Sequence, residues 1–142
     1  MAKSKVEKIK QFQKTVLDYY EQYGRHSLPW RKTTNPYRIL VSEIMLQQTQ
    51  VDRVVPFYKN FLKQFPTLKA LGEASLSDVL RAWQGLGYNR RAKMLHEAAK
   101  EIMIYHNSRF PKQYKDLITL PGIGEYTAKA VRTFAWSEKE FL

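Results

Sequence analysis

The sequence predicts an all-α protein, a compact bundle of short helices joined by short connections. Three observations carry this. Apolar residues recur at helical spacing through most of the chain. Glycine, proline and capping residues punctuate that pattern at intervals suited to short helices. No β-hairpin signal appears.

The elements follow in order. Val6, Ile9, Phe12, Val16, Leu17 and Tyr20 mark a first helix ending near Gly24. Arg25 to Asn35 reads as a loop carrying Leu28-Pro29-Trp30. Asn35 and Pro36 form an N-cap and first helical position for a second helix reaching Gln48. Val51 to Phe65 is a third amphipathic stretch, in which Pro56 is a candidate bend. Pro66 and Thr67 open a short helix ending at Gly72, and Ser75-Leu76-Ser77-Asp78 has the form of a capping box for a helix to Gln84. Gly85-Leu86-Gly87-Tyr88 breaks the pattern. Arg90 to His106 resumes it, with Ala92, Leu95, Ala99, Ile102 and Met103 on one side. Tyr114 to Leu120 is a short helix, Pro121-Gly122-Ile123-Gly124 a tight turn, and Glu125 to Trp136 the last helix.

Bulk properties narrow the function. With 142 residues, 44% of them hydrophobic, the chain suits one domain or one lobe with a genuine core. The 24 Lys and Arg against 13 Asp and Glu give a net charge of +11, which favours a polyanionic partner. The absence of cysteine excludes disulfides and Cys-ligated zinc or iron–sulfur within these residues. His26, His96 and His106 are scattered without ligand spacing, so each is expected to be structural or on the surface, and no metal site is expected. The basic start leads into no apolar signal core, and no apolar run approaches a membrane span, so a cytoplasmic location is expected.

Two segments carry chemistry. In Leu117–Gly124, two glycines spaced by one residue permit a tight turn and a close approach, and the following helix offers unpaired N–H groups and a positive dipole end. Together these suit a DNA phosphate, directly or through a bridging monovalent cation, with Leu120 and Ile123 anchoring the turn. An ordinary helix–turn–helix connection is the alternative. Leu120-Pro121-Gly122-Ile123-Gly124 is the helix-hairpin-helix pattern, and such contacts hold backbone without reading sequence. The second segment is Pro36–Gln48. Tyr37, Leu40, Val41, Ile44 and Met45 share an apolar face, while Glu43 lies off it, aligned with Leu46 and Gln47. In a partly dry cleft, desolvation would raise the Glu43 pKa and make it a proton donor. From spacing alone, a solvated surface acid is the simpler reading.

The chain resembles the adenine DNA glycosylases of the MutY type, within the endonuclease III superfamily. The resemblance rests on Leu28-Pro29-Trp30-Arg31, on Ser42-Glu43-Ile44-Met45-Leu46-Gln47-Gln48-Thr49-Gln50, on Gly85-Leu86-Gly87-Tyr88, and on the hairpin with Tyr126-Thr127-Ala128. It runs from about Leu17 to Ala135. It implies a monofunctional base-excision enzyme that flips adenine, mispaired with 8-oxoguanine or guanine, out of the duplex and hydrolyses its N-glycosidic bond. Endonuclease III itself has an apolar residue at the Glu43 position and a Schiff-base lysine at the Tyr126 position. The Glu and Tyr found here therefore imply no lyase chemistry.

The same resemblance implies residue roles. Glu43 is the general acid that protonates adenine, with Tyr126 beside it. Trp30, Arg31 and Leu46 line the base pocket. Gln48 fills the gap left by the extruded base, Tyr88 wedges beside the opposite guanine, and Gln47, Thr49, Leu86, Gly122 and Gly124 complete the DNA contacts. Core positions are the alternative for Tyr88 and Leu86, against which the flanking Gly85 and Gly87 favour an exposed loop. Asn89 and Lys129 depart from the family pattern, and Lys129 adds charge near the proposed phosphate site. Residues 1–24 are expected to pack on C-terminal helices beyond these residues, leaving Phe12 and Val16 exposed here. Residues 25–142 are expected to hold a six-helix core ending before the family's catalytic aspartate, 4Fe–4S cysteines and lesion-recognition domain. The chain alone is thus expected to be a monomer that binds double-stranded DNA with little or no turnover. A mismatch thymine or uracil glycosylase and a non-catalytic DNA-binding fragment remain the alternatives.

Overall fold

A computed structural model describes residues 4–23 and 27–137, and the side chains of all of these but 16–23. Among the described residues the fold is all-α. The order is α1 (Lys5–Tyr23), a 3-10 turn at Pro29–Arg31, α2 (Pro36–Leu46), α3 (Val51–Gln64), α4 (Leu68–Glu73), α5 (Leu76–Trp83), α6 (Arg90–Tyr105), α7 (Tyr114–Leu117) and α8 (Glu125–Trp136). Gly24 and His26, and the side chains of Val16, Leu17 and Tyr20, lie outside the described residues.

The caps explain several boundaries. Asn35 Oδ1 accepts from the amides of Tyr37 and Arg38, and Pro36 supplies the first turn of α2 with a preset φ. Thr67 caps α4 through the Ala70 amide. Ser75 accepts from the Asp78 amide, the forward half of the expected capping box. A reciprocal box that the sequence reading missed opens α1: Ser4 Oγ accepts from the Glu7 amide, and Glu7 Oε2 accepts from the Ser4 amide. Pro56 lies inside α3, where the missing amide is tolerated within an otherwise continuous helix. α2 stops at Leu46 rather than Gln48, and α7 at Leu117 rather than Leu120. In α2 the reason is local: Gln47 already has an extended ψ of 115° and Gln48 a left-handed φ of 58°, so neither continues the helix.

α2 is the hub. It packs against α8, α3 and α6, and the Pro29–Arg31 turn closes on it. Tyr37, Ile39, Leu40, Val41, Ser42, Glu43, Ile44 and Met45 are all buried, so the helix has no solvent face over most of its length. Around it Trp83 meets Phe61 edge-on at 5.9 Å, and Trp30 meets Tyr58 edge-on at 5.3 Å. His96 is buried between helices with its Nε2 2.8 Å from the Ala74 carbonyl oxygen, a structural role. On α1, Phe12 is exposed. No helix among the described residues is long and apolar enough to cross a membrane.

Candidate active site

Glu43 sits on α2 with only 7% of its surface exposed, in a cavity of about 200 Å³ lined by Arg31, Glu43, Leu46, Gln47 and Tyr126. Three elements build it. α2 supplies Glu43 and Leu46, three residues apart on one side of the helix, and its C-cap supplies Gln47. The Pro29–Arg31 turn brings Arg31, whose guanidinium lies 4.0 Å above the Phe134 ring of α8. The first turn of α8 brings Tyr126. Gln47 Nε2 donates to Thr127 Oγ1 at 3.3 Å, tying the end of α2 to α8 across the cavity.

The electrostatics follow from this burial. Desolvation pushes the Glu43 carboxyl above the usual carboxylate range, and the Arg31 charge partly opposes it. Burial also raises the Tyr126 phenol, the Glu43 charge adds to that, and Arg31 works against both. A carboxylic acid that keeps its proton to higher pH, next to a neutral phenol and a guanidinium, can protonate a bound base and stabilise charge moving onto it.

The hairpin lies beside this cavity, because α8 carries both Tyr126 and the end of the turn. Gly122 has φ 76°, and a Cβ there would stand 3.0 Å from Met94 Cβ. Gly124 differs: its φ is −90°, and a Cβ would meet nothing within 4 Å. Gly122 is therefore needed for the fold, whereas Gly124 leaves the N-terminus of α8 open to close approach. Leu120 and Ile123 are buried as expected. Lys129 is held in an ion pair with Glu125, Nζ to Oε1 2.8 Å, and this bond keeps the Glu125 carboxyl below its ordinary range.

Two expected contact residues have buried side chains. Leu86 is 4% exposed: between two exposed glycines its side chain turns inward and joins the core, so it offers no apolar tip to a ligand. Trp30 is 1% exposed and packs on Tyr58 rather than lining the cavity. The other residues stand at the surface. Gln48 is exposed, Tyr88 is 63% exposed, and both have left-handed backbones, φ 58° and 50°. Strain of this kind in non-glycine residues collects where a side chain must be aimed. Thr49 is half-buried and bonded through Oγ1 to Arg91, a residue the sequence reading did not single out.

A hairpin between two helices, set against a buried acid on a third, defines a helix-hairpin-helix domain with an acid-bearing cleft. The chain belongs to the HhH-GPD superfamily of base excision DNA repair proteins, whose family model matches residues 41–137. It is 44% identical over 126 residues to an adenine DNA glycosylase of Buchnera aphidicola subsp. Baizongia pistaciae, covering 89% of this chain and 36% of that protein. It is 47% identical over 125 residues to an adenine DNA glycosylase of Mycobacterium tuberculosis, covering 87% and 41%. The chain thus spans about two-fifths or less of these curated relatives. Among solved structures, a thermostable thymine-DNA glycosylase superposes with a TM-score of 0.84 at 30% identity, over 96% of this chain and 63% of that one.

Proposed function

We propose that the protein carrying these residues is an adenine DNA glycosylase that removes adenine mispaired with 8-oxoguanine or guanine. The observation that carries this reading is the burial of Glu43 in a small cavity beside the hairpin. The identities of 44% and 47% to adenine glycosylases support adenine as the base.

The residues have a coherent division of labour. The open backbone at Gly124 and the N-terminus of α8 hold a DNA phosphate. A monovalent cation bridging hairpin and phosphate would take backbone carbonyl oxygens of the turn as donors. Among the described residues, no group of His, Cys, Asp or Glu is placed to hold a metal. The chain has no cysteine, so its residues do not fit a 4Fe–4S cluster, and no step runs through one. Gln48 enters the stack where the base leaves, and Tyr88 wedges on the opposite strand. The base enters the cleft, where Glu43 gives its proton to a ring nitrogen. The bond to C1′ then breaks with its electron pair going to the protonated base, which leaves as a neutral purine. Water adds to the sugar cation left behind, and its proton returns to the Glu43 carboxylate. Tyr126 and Arg31 hold the cleft in register.

The likeness to a thymine-DNA glycosylase structure favours a second substrate, thymine opposite guanine. The two separate in one assay of free-base release by the whole protein that carries these residues, on A·8-oxoguanine, A·G and T·G duplexes. Adenine release, with T·G left intact, is the expected outcome. Thymine release alone would replace the reading, and no release with intact binding would reduce it to a DNA-binding module.

A further inference from the structure

We propose that Arg91 is a positioning residue that locks the Gln47–Thr49 turn and the Gly85–Tyr88 loop into one rigid, two-pronged wedge with Gln48 and Tyr88 as its prongs. The inference rests on the functional reading above for what the prongs enter. The lock itself rests on contacts within the free protein.

Arg91 lies in the first turn of α6, yet its side chain reaches the far end of α2. Its Nη1 donates to the carbonyl oxygens of Ile44 at 3.0 Å and Met45 at 2.9 Å, and also to that of Gln47. Its Nη2 donates to Thr49 Oγ1 at 3.0 Å and to the Gly87 carbonyl oxygen at 3.2 Å. The last carbonyls of a helix have no partner within it, and a positive charge suits that end of the dipole. Arg91 therefore caps α2 and, with the other arm of the same planar group, grips the neighbouring loop. These bonds bracket both strained residues. Gln47 and Thr49 flank Gln48, and the backbone amide of Arg91 also donates to the Tyr88 carbonyl oxygen at 2.9 Å.

Further contacts stiffen the clamp. The guanidinium lies 5.4 Å from the ring centroids of both Trp83 and Tyr88, and Trp83 Nε1 donates to the same Gly87 oxygen at 3.0 Å. Arg53, from α3, donates to the Gly85 carbonyl oxygen. Two prongs entering opposite strands of a stack must keep a fixed separation, and one rigid fork bonded to both loops sets it without a hinge between them. A lysine keeps the charge at the end of α2 but cannot span five acceptors with a planar fork.

The test compares the wild-type protein with Arg91→Lys and Arg91→Met by two measurements. The first is amide hydrogen exchange in the free protein. Exchange at Gln47, Thr49 and Leu86, whose amides hold backbone bonds in these two loops, should rise together, about tenfold or more, in both variants, while the amides of Ile39 to Val41 stay protected and report an intact core. The second uses a duplex with 2-aminopurine in place of the target adenine opposite 8-oxoguanine. Unstacking of the reporter should fall about tenfold in both variants, while the dissociation constant changes less than about threefold because phosphate contacts lie on the hairpin. Full rescue by lysine would show a charge cap rather than a fork and overturn the proposal. Unchanged exchange, faster exchange in one loop only, or looser loops with undiminished unstacking would each do the same. A wild-type protein that binds the duplex yet leaves the reporter stacked would refute base flipping, and with it the proposed function. The exchange measurement would then still decide whether Arg91 locks the loops.

Discussion

At the scale of the residue, the proposed chemistry depends on one carboxyl group kept from water. Burial raises the Glu43 pKa, so the protonated acid persists to higher pH than a surface glutamate would. Single-turnover base release should therefore be fastest on the acid side and fall as pH rises through that raised pKa. A rate that instead grew with pH would assign Glu43 a base role. Glu43→Gln removes the proton donor and should slow release by about 10²- to 10⁴-fold with duplex affinity preserved. The same substitution should raise stability. A carboxyl whose folded pKa lies above its unfolded value favours folding below the unfolded pKa and loses that contribution as pH rises through the folded one. Glu43→Gln should thus melt on the order of 3 °C higher than wild type near neutral pH, with the gap closing as pH falls below the ordinary carboxylate range. Calorimetry at two pH values checks this. The sequence placed Glu43 beside Leu46 and Gln47 but not under cover. A helical wheel put it off the apolar face, and only the packing of α8, distant in sequence, together with the Pro29–Arg31 turn encloses it.

At the scale of the element, the hairpin separates two glycines that look alike in the sequence. Gly122→Val forces a side chain onto Met94 at positive φ and should destabilise the fold by about 1–3 kcal/mol. Gly124→Val meets open space at an ordinary φ, so stability should change by less than about 1 kcal/mol. Its duplex affinity should fall about tenfold, comparable to losing one charged hydrogen bond. Equal loss of stability in both variants would place Gly124 in the fold rather than at an interface. Helix starts were legible because caps are local chemistry: Asn35, Thr67 and Ser75 each bond an amide two or three residues on. The orientation of Leu86 was not legible. Flanking glycines suggest exposure, but the side chain follows the core formed by helices distant in sequence. Arg91 was invisible for the same reason, since its acceptors at the end of α2 and on the C-cap Gln47 lie 44 to 47 positions away.

At the scale of the whole molecule, fold class and helix order could be read from periodicity, because most helices after α1 bury one apolar stripe, while the described apolar residues of α1 stay exposed. α2 is the exception, and its sequence shows a hub only in hindsight: its buried set includes Ser42 and Glu43. The net charge of +11 makes a further prediction. If the partner is duplex DNA, affinity should drop by about tenfold or more between about 50 and 200 mM salt, whatever the base sequence, as displaced counterions return to the phosphates. Affinity indifferent to salt would remove nucleic acid as the ligand.

The enclosure of α2 also limits how this cleft can be retuned. A helix with neighbours on nearly every side cannot be rotated, shifted or enlarged without disturbing each of them. Evolution or design that seeks a different base must therefore work from the detachable walls, Arg31 on its short turn and Tyr126 at the start of α8, and leave the acid's own scaffold untouched.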